Sequence, residues 1–310
     1  MTKVFIDGKA GTTGLRIFDR LAQREEIEIM SLSEERRKDP EARREMLNAC
    51  DVAFLCLPDA AAIEAVSMID NPSVTVIDAS TAHRTNPAWA YGFPELSEAH
   101  EKKLLSSKRI AVPGCHASGF ISLVYPLIEQ GVLDRSAILS AHSLTGYSGG
   151  GKSMIADYEA DELDALLRAP RQYGIAQKHK HLPEMKAVTG LENAPLFCPI
   201  VSDFYSGMEV TVPLHASMLK NGVTMADIAS ILRAKYTGPI VTYRDSVDEG
   251  GFISAAHMQY KDSMEITVCG NDERMLLVAV YDNLGKGASG AAIQCMNMIL
   301  GIDKTTGLVL

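Results

Sequence analysis

"KVFIDGKAGTTG", residues 3 to 14, is the stretch on which the reading of the chain turns. Val4-Phe5-Ile6 makes a short apolar strand that runs into a loop carrying Gly8, Gly11 and Gly14. "LRIFDRLAQ" behind it has helical spacing. Small residues at a strand-to-helix turn let backbone approach a pyrophosphate closely, and the first N–H groups of the helix can bind it. The spacing is GxxGxxG, looser than the GxGxxG of dinucleotide sites, so in isolation a tight turn without a ligand also explains it.

The context is more specific. "EIEIMSL", "DVAFLCLP" and "VTVIDAS" are further short apolar strands, with helical patterns such as "DAAAIEAVSMI" between them. That order implies a parallel, doubly wound sheet, an α/β Rossmann-type dinucleotide-binding domain. Loops after the strand ends line the cleft of such a sheet, which gathers "GKAGTTG", "CLPD" and "DASTAHR" and makes Gly8, Gly11, Thr12, Thr13 and Gly14 the pyrophosphate loop. After the second strand, where an NAD site carries an acid for the ribose hydroxyls, this chain has Ser31 and Ser33 with Arg36, Arg37 and Lys38 beyond. Hydroxyls and cations suit a 2′-phosphate, so NADP is expected over NAD, although Glu34 and Glu35 share the loop.

The remaining composition narrows the class. With 310 residues, 46% hydrophobic and 22% charged, the chain has room for one large or two medium domains. A net charge of −9 argues against a broad nucleic-acid surface. No apolar run approaches bilayer length and no basic-then-apolar leader opens the chain, so a cytoplasmic protein with reduced thiols and no membrane contact is expected. The mixed-sign run "SEERRKDPEARRE" reads as a solvated helix face.

Of the six cysteines none forms a CxxC pair or a Cys/His ladder, so no structural metal is expected. Five sit among apolar neighbours and read as core. Cys115 differs, because in "RIAVPGCHASG" (109–119) Pro113-Gly114 stops a strand and "FISLVYPLIEQG" follows as a helix. A thiol at a helix N-terminus meets backbone N–H groups and the positive end of the dipole, which favours thiolate and marks a nucleophile.

Beyond it, "QYGIAQKHKHLPEM" holds His179 and His181 two apart. In an extended segment both rings project to one side, and Pro183 is expected to keep the segment from becoming helical. A basic surface turn is the bland reading; beside a poised cysteine, either ring is an acid/base partner. "MEVTVPLHASM", "GFISAAHMQY", "MEITVCGND" and "RMLLVAVYDNL" read as longer strands, giving an α+β catalytic domain with a large, mostly antiparallel sheet. "TMADIASILRAKY" is a helix with Thr224 as its cap. "DNLGKGASGAAIQCMNMILGID" becomes an apolar helix that must be buried, with the first domain as host. The expected division is 1–114 with 285–310, and 115–284.

"VPGCHASG", "GYSGGGK", "KHKHLPEM", "DNLGKGASG" and "YGFPEL", behind the glycine turn, resemble the N-acetyl-gamma-glutamyl-phosphate reductase family in its shorter-chain class. The wider superfamily includes aspartate-semialdehyde dehydrogenase and phosphorylating glyceraldehyde-3-phosphate dehydrogenase. The resemblance implies NADPH-dependent reduction of an acyl phosphate through a thioester on Cys115. It implies His179 as acid/base, its imidazolium stabilising the thiolate, with His181 holding substrate and Glu184 orienting a ring. Ser148 would lie near the substrate and Asn283 near the nicotinamide. Arg84, Lys152 and Arg171 are the cations placed to meet phosphate or carboxylate, and a homo-oligomer, dimer or tetramer, is implied. Two departures stand out: His116-Ala117-Ser118 where an aromatic, Pro and Thr are expected, and Ala291 where Gln is usual. A sister enzyme acting on aspartyl phosphate, or a non-catalytic NADP sensor, remains open at this level.

Overall fold

A computed structural model describes all 310 residues of the chain. They form two compact units: Met1–Pro113 with Ala288–Leu308, and Gly114–Gly287 with the last two residues.

In the first unit β1 (Thr2–Asp7), α1 (Thr12–Leu21), β2 (Ile27–Met30), α2 (Pro40–Ala49), β3 (Val52–Leu55), α3 (Asp59–Ser67), β4 (Thr75–Asp78), β5 (Ala90–Tyr91), α4 (Glu98–Ser106) and β6 (Arg109–Ala111) follow one another. The sheet order is β2-β1-β3-β4-β6-β5, and every pairing is parallel. β3 and β4 are buried at every position, as strands covered on both faces must be. Two apolar clusters form the cores of this unit, one around Val4, Ile17 and Phe54, the other around Phe5, Leu47 and Leu55.

The second unit holds α5 (Cys115–Glu129), β7 (Ser140–Gly146), α6 (Gly151–Tyr158), β8 (Arg171–Gln172), α7 (Leu182–Thr189), β9 (Leu196–Ser202), β10 (Met208–His215), α8 (Met225–Lys235), β11 (Val241–Tyr243), β12 (Met264–Gly270) and β13 (Arg274–Tyr281). Its sheet runs β11-β12-β13-β10-β7-β9-β8. β11 with β12 and β7 with β9 are parallel and the other four pairings antiparallel, so the sheet is mixed. Thr224 caps α8 in a full capping box with Asp227. A π-helical turn at Gly285–Ser289 precedes α9 (Gly290–Ile299), whose Ala291, Ala292, Cys295 and Met296 are buried in the first unit's core. No helix is long and apolar enough to cross a membrane.

Three local expectations need correction. Residues 251–260 form turns rather than a strand: Ile253 and Met258, five apart, pack on one cluster with Val278 and Val280, whereas an odd spacing along a strand would send the two side chains to opposite faces. Pro183 does not block a helix: it lies in the first turn of α7, where a missing N–H costs nothing. The charged run is not wholly solvated, since Arg43 on α2 is 9% exposed and pairs with Asp7 at 2.9 Å.

Candidate active site

In the first unit the glycine loop is built on steric necessity. Gly8 has φ +87°, and a Cβ there would stand 2.2 Å from the Cys56 carbonyl oxygen; one on Gly14 would stand 2.6 Å from the Gly8 oxygen. The backbone therefore leaves no room for a side chain at residues 8 and 14, and the start of α1 at Thr12 offers its N–H groups outward. Gly8→Ala combines an unfavourable φ with a backbone clash. We expect it to lower stability by about 2 kcal/mol or more in urea unfolding and to abolish dinucleotide binding.

A cavity of about 430 Å³ is lined by Gly8, Lys9, Ser31, Leu57, Arg37 and Lys38, among others. A second, of about 180 Å³, is lined by Gly11, Thr12, Thr13 and Gly14 and shares Leu57. Apolar walls, a backbone cradle and converging cations fit a nicotinamide dinucleotide. Of the three cations of this loop, Arg37 and Lys38 line the larger cavity and Arg36 does not, although Arg37 also pairs with Glu34 at 2.9 Å. The Arg36 guanidinium turns to Asp39 and Glu45, at 3.8 and 3.7 Å, and Ser33 holds the turn through its carbonyl and bonds Glu35. Ser31, Arg37 and Lys38 are the members that reach the cavity.

In the "DASTAHR" loop the fully buried Asp78 accepts from Ser80 and meets His83 at 2.6 Å, and His83 stacks on Trp89 at 4.0 Å. Arg84 donates to the main-chain oxygens of Val112 (2.8 Å) and Ala79 (3.0 Å). That makes it a brace of the strand ends, a structural alternative to the anion-binding part expected of it.

In the second unit Cys115 opens α5 directly after the Gly114 N-cap. Glu184, 1% exposed, accepts the Gly114 N–H at 2.8 Å, so its carboxylate pins the turn that presents the thiol. The π-helical turn packs on the same residue: a Cβ at Gly287 would stand 3.0 Å from the Cys115 Cβ. Small size is required there.

Three imidazoles gather beside this helix start. His116, His179 and His181 have ring centroids 4.8 to 5.6 Å apart. His179 and His181 are not on an extended strand; His181 is helical (φ −85°, ψ −13°) at the cap of α7, and its N–H donates to His179 Nδ1 at 3.3 Å. Neutral His179 therefore carries its proton on Nε2. Burial, and then the Lys180 charge, lower the His179 pKa, which disfavours the imidazolium expected from the sequence.

His116 was noted only as a departure. Its Nδ1 meets Ser143 Oγ and its Nε2 meets Tyr173 Oη, each at 2.6 Å. Burial, with His179 beside it, pulls its pKa down to about 3, so it is a neutral link that holds Tyr173 against the cluster. The other thiols contrast with Cys115 in their setting: burial pushes Cys50 and Cys56 up to about 12.

The remaining expected residues are placed as follows. Ser148 is fully buried and accepts from Asn283 Nδ2 at 3.1 Å, while Asn283 Oδ1 accepts the Gly207 N–H at 2.8 Å. Asn283 thus ties the Ser148 turn to the sheet through both ends of its amide. Lys152 is exposed on α6. Arg171 donates to Tyr158 Oη at 3.1 Å, and its Nε is buried without a bond.

Two family models match the chain: the semialdehyde dehydrogenase NAD binding domain over residues 3–104 and the semialdehyde dehydrogenase dimerisation domain over 115–283. An N-acetyl-gamma-glutamyl-phosphate reductase of Nostoc sp. is 42% identical, covering 99% of both chains. One from Chelativorans sp. is 44% identical over 96% of this chain and 98% of the relative. The chain belongs to the N-acetyl-gamma-glutamyl-phosphate reductase family. Among solved structures, aspartate semialdehyde dehydrogenase of Francisella tularensis has a TM-score of 0.73 at 13% identity, covering 97% of this chain and all of that one. The Candida albicans enzyme, solved with NADP, has 0.69 at 15%, covering 97% and 98%. At that identity the likeness is one of fold.

Within this family assignment, sequence reasoning missed His116, Tyr173 and Tyr281. The Tyr281 hydroxyl donates to the Cys115 carbonyl at 2.6 Å from 166 residues away. The available signal was Gly119, a glycine four residues behind the nucleophile inside an apolar helix, where only a close approach explains it.

Proposed function

We propose that the chain reduces N-acetyl-L-glutamyl 5-phosphate to N-acetyl-L-glutamate 5-semialdehyde with NADPH, releasing phosphate, as a cytoplasmic homo-oligomer in arginine biosynthesis. The observation that carries the reading is the full-length identity to reductases of that name, joined to a helix-start cysteine held by Glu184 beside three imidazoles.

The Cys115 sulfur attacks the acyl carbon, and its proton leaves on the departing phosphate, forming a thioester. Bound NADPH supplies hydride to that carbonyl. The thiohemiacetal oxygen is met by first-turn N–H groups of α5 and by the Nε2–H of His179, and collapse returns the thiolate and the aldehyde. A solvent proton restores the thiol. Of the three cations expected for substrate, Arg171 is the best suited to the α-carboxylate. It lies two residues from Tyr173 on the same side of an extended segment, about 7 Å along, with a buried Nε to satisfy.

Assaying phosphate- and NADP-dependent oxidation of N-acetylglutamate semialdehyde against aspartate semialdehyde tests the reading. Preference for the first supports it; preference for the second assigns the sister reaction, and turnover of neither assigns a sensor. For the cofactor, Gly8, Gly11, Thr12, Thr13 and Gly14 would hold the pyrophosphate and Ser31, Arg37 and Lys38 the 2′-phosphate. We expect Arg37→Ala with Lys38→Ala to cut kcat/KM for NADPH by about tenfold to a hundredfold and to spare NADH, whereas Arg36→Ala changes little.

A further inference from the structure

We propose that Tyr281 is a positioning residue for the nucleophile: its hydroxyl sits between the Cys115 carbonyl and the Gly119 amide, and it orients and polarises the first turn of α5. The inference rests on Cys115 being the nucleophile of the proposed reaction.

Tyr281 ends β13 with its ring fully buried. Its oxygen accepts the Gly119 N–H at 3.0 Å, and its proton goes to the Cys115 carbonyl at 2.6 Å. Those two backbone groups are the i and i+4 partners that an α-helix joins to each other. The hydroxyl reaches them because residue 119 is glycine. A Cβ there would stand 2.7 Å from the Tyr281 oxygen and 2.6 Å from Val210 Cγ2. Gly119 is otherwise an unfavourable choice inside a helix.

The chemical consequence follows from the peptide unit. The Cys115 carbonyl and the His116 N–H belong to one amide, so donation to the oxygen makes that N–H a stronger donor. First-turn N–H groups aim out of the helix N-terminus, toward which the Cys115 side chain also points. The His116 amide is thereby strengthened where thiolate charge and oxyanion charge develop. Burial, with Cys115 beside it, raises the Tyr281 pKa well above the ordinary phenol value, so the group stays a neutral donor.

The other titratable groups at this helix start are Glu184 on the Gly114 amide, Tyr173, and the His116, His179 and His181 rings. Lys286 is buried in the π-helical turn next to Gly287, which packs on Cys115. None of them changes in the variants below.

The test uses the full chain with Tyr281→Phe and, separately, with 3-fluorotyrosine introduced at position 281 as a stronger donor of nearly the same shape. The phenylalanine variant retains the ring, and the Cys115 carbonyl and Gly119 amide keep the helical bond that the start of α5 at Cys115 already gives them. We expect iodoacetamide alkylation of Cys115 at pH 7 to slow about threefold to tenfold in Tyr281→Phe, with its pH midpoint raised. kcat should fall about tenfold, with KM within about twofold. Fluorotyrosine should move the midpoint the opposite way. An unchanged midpoint in both proteins, or a loss confined to KM and thermal stability, would overturn the inference. Alkylation of Cys115 that left turnover intact would instead remove the nucleophile reading itself, and the inference with it.

Discussion

Cys115→Ser is expected to abolish turnover, lowering kcat by about 10⁴ or more, the scale of removing a covalent nucleophile. NADPH affinity, read by nucleotide fluorescence, should stay near that of the unmodified protein, because the cavity and glycine loop lie in the first unit and Cys115 in the second. The distinction between this thiol and the others is one of place. Cys50 and Cys56 lie in surroundings that oppose ionisation. Cys115 stands on the first turn of a fifteen-residue helix, after a glycine whose amide is already held by Glu184. Serine keeps the shape and loses the nucleophile that is also a good leaving group. Retention of a tenth of the activity would make Cys115 a bystander.

The second large effect concerns the histidines. His179→Asn should lower kcat by about 10² to 10⁴ with little change in KM, the usual range for a proton-handling group. His181→Asn should act mainly on KM. The structure alters one part of what the sequence implied: His179 has a lowered pKa and accepts a backbone N–H at Nδ1, so it is neutral at working pH. The sign follows directly. A base whose pKa is lowered remains unprotonated further into acid, so the acid limb of kcat/KM should lie below pH 6.5. Alkylation of Cys115 at neutral pH should accordingly change little in His179→Asn. If His181→Asn gave the larger loss of kcat, the two roles would be exchanged.

Much of the architecture was legible before any coordinates because it rests on local rules. Buried runs such as Val-Ala-Phe-Leu at 52 to 55 specify strands covered on both faces, and Thr224 with Asp227 specifies a helix start. The glycine turn and the break before Cys115 belong to the same class, since each depends on residues within about one helical turn of each other. The turn at 251–260 escaped because an apolar segment without pairing partners in view reads like a strand.

The site's inner geometry was decided elsewhere. Glu184 reaches Gly114 across 70 residues, Tyr173 reaches His116 across 57, and Tyr281 reaches Cys115 across 166. Periodicity carries no record of such pairings, because they depend on where separate elements meet once the apolar faces are buried. Arg36 and Arg37 make the point at the smallest scale. Adjacent cations in one turn leave the backbone in different directions, so one meets Asp39 and Glu45 while the other lines the cavity. Composition and spacing placed the charge in the loop. Only the folded turn chose which guanidinium lines the cavity, since side-chain direction is set by backbone dihedrals that local sequence leaves open.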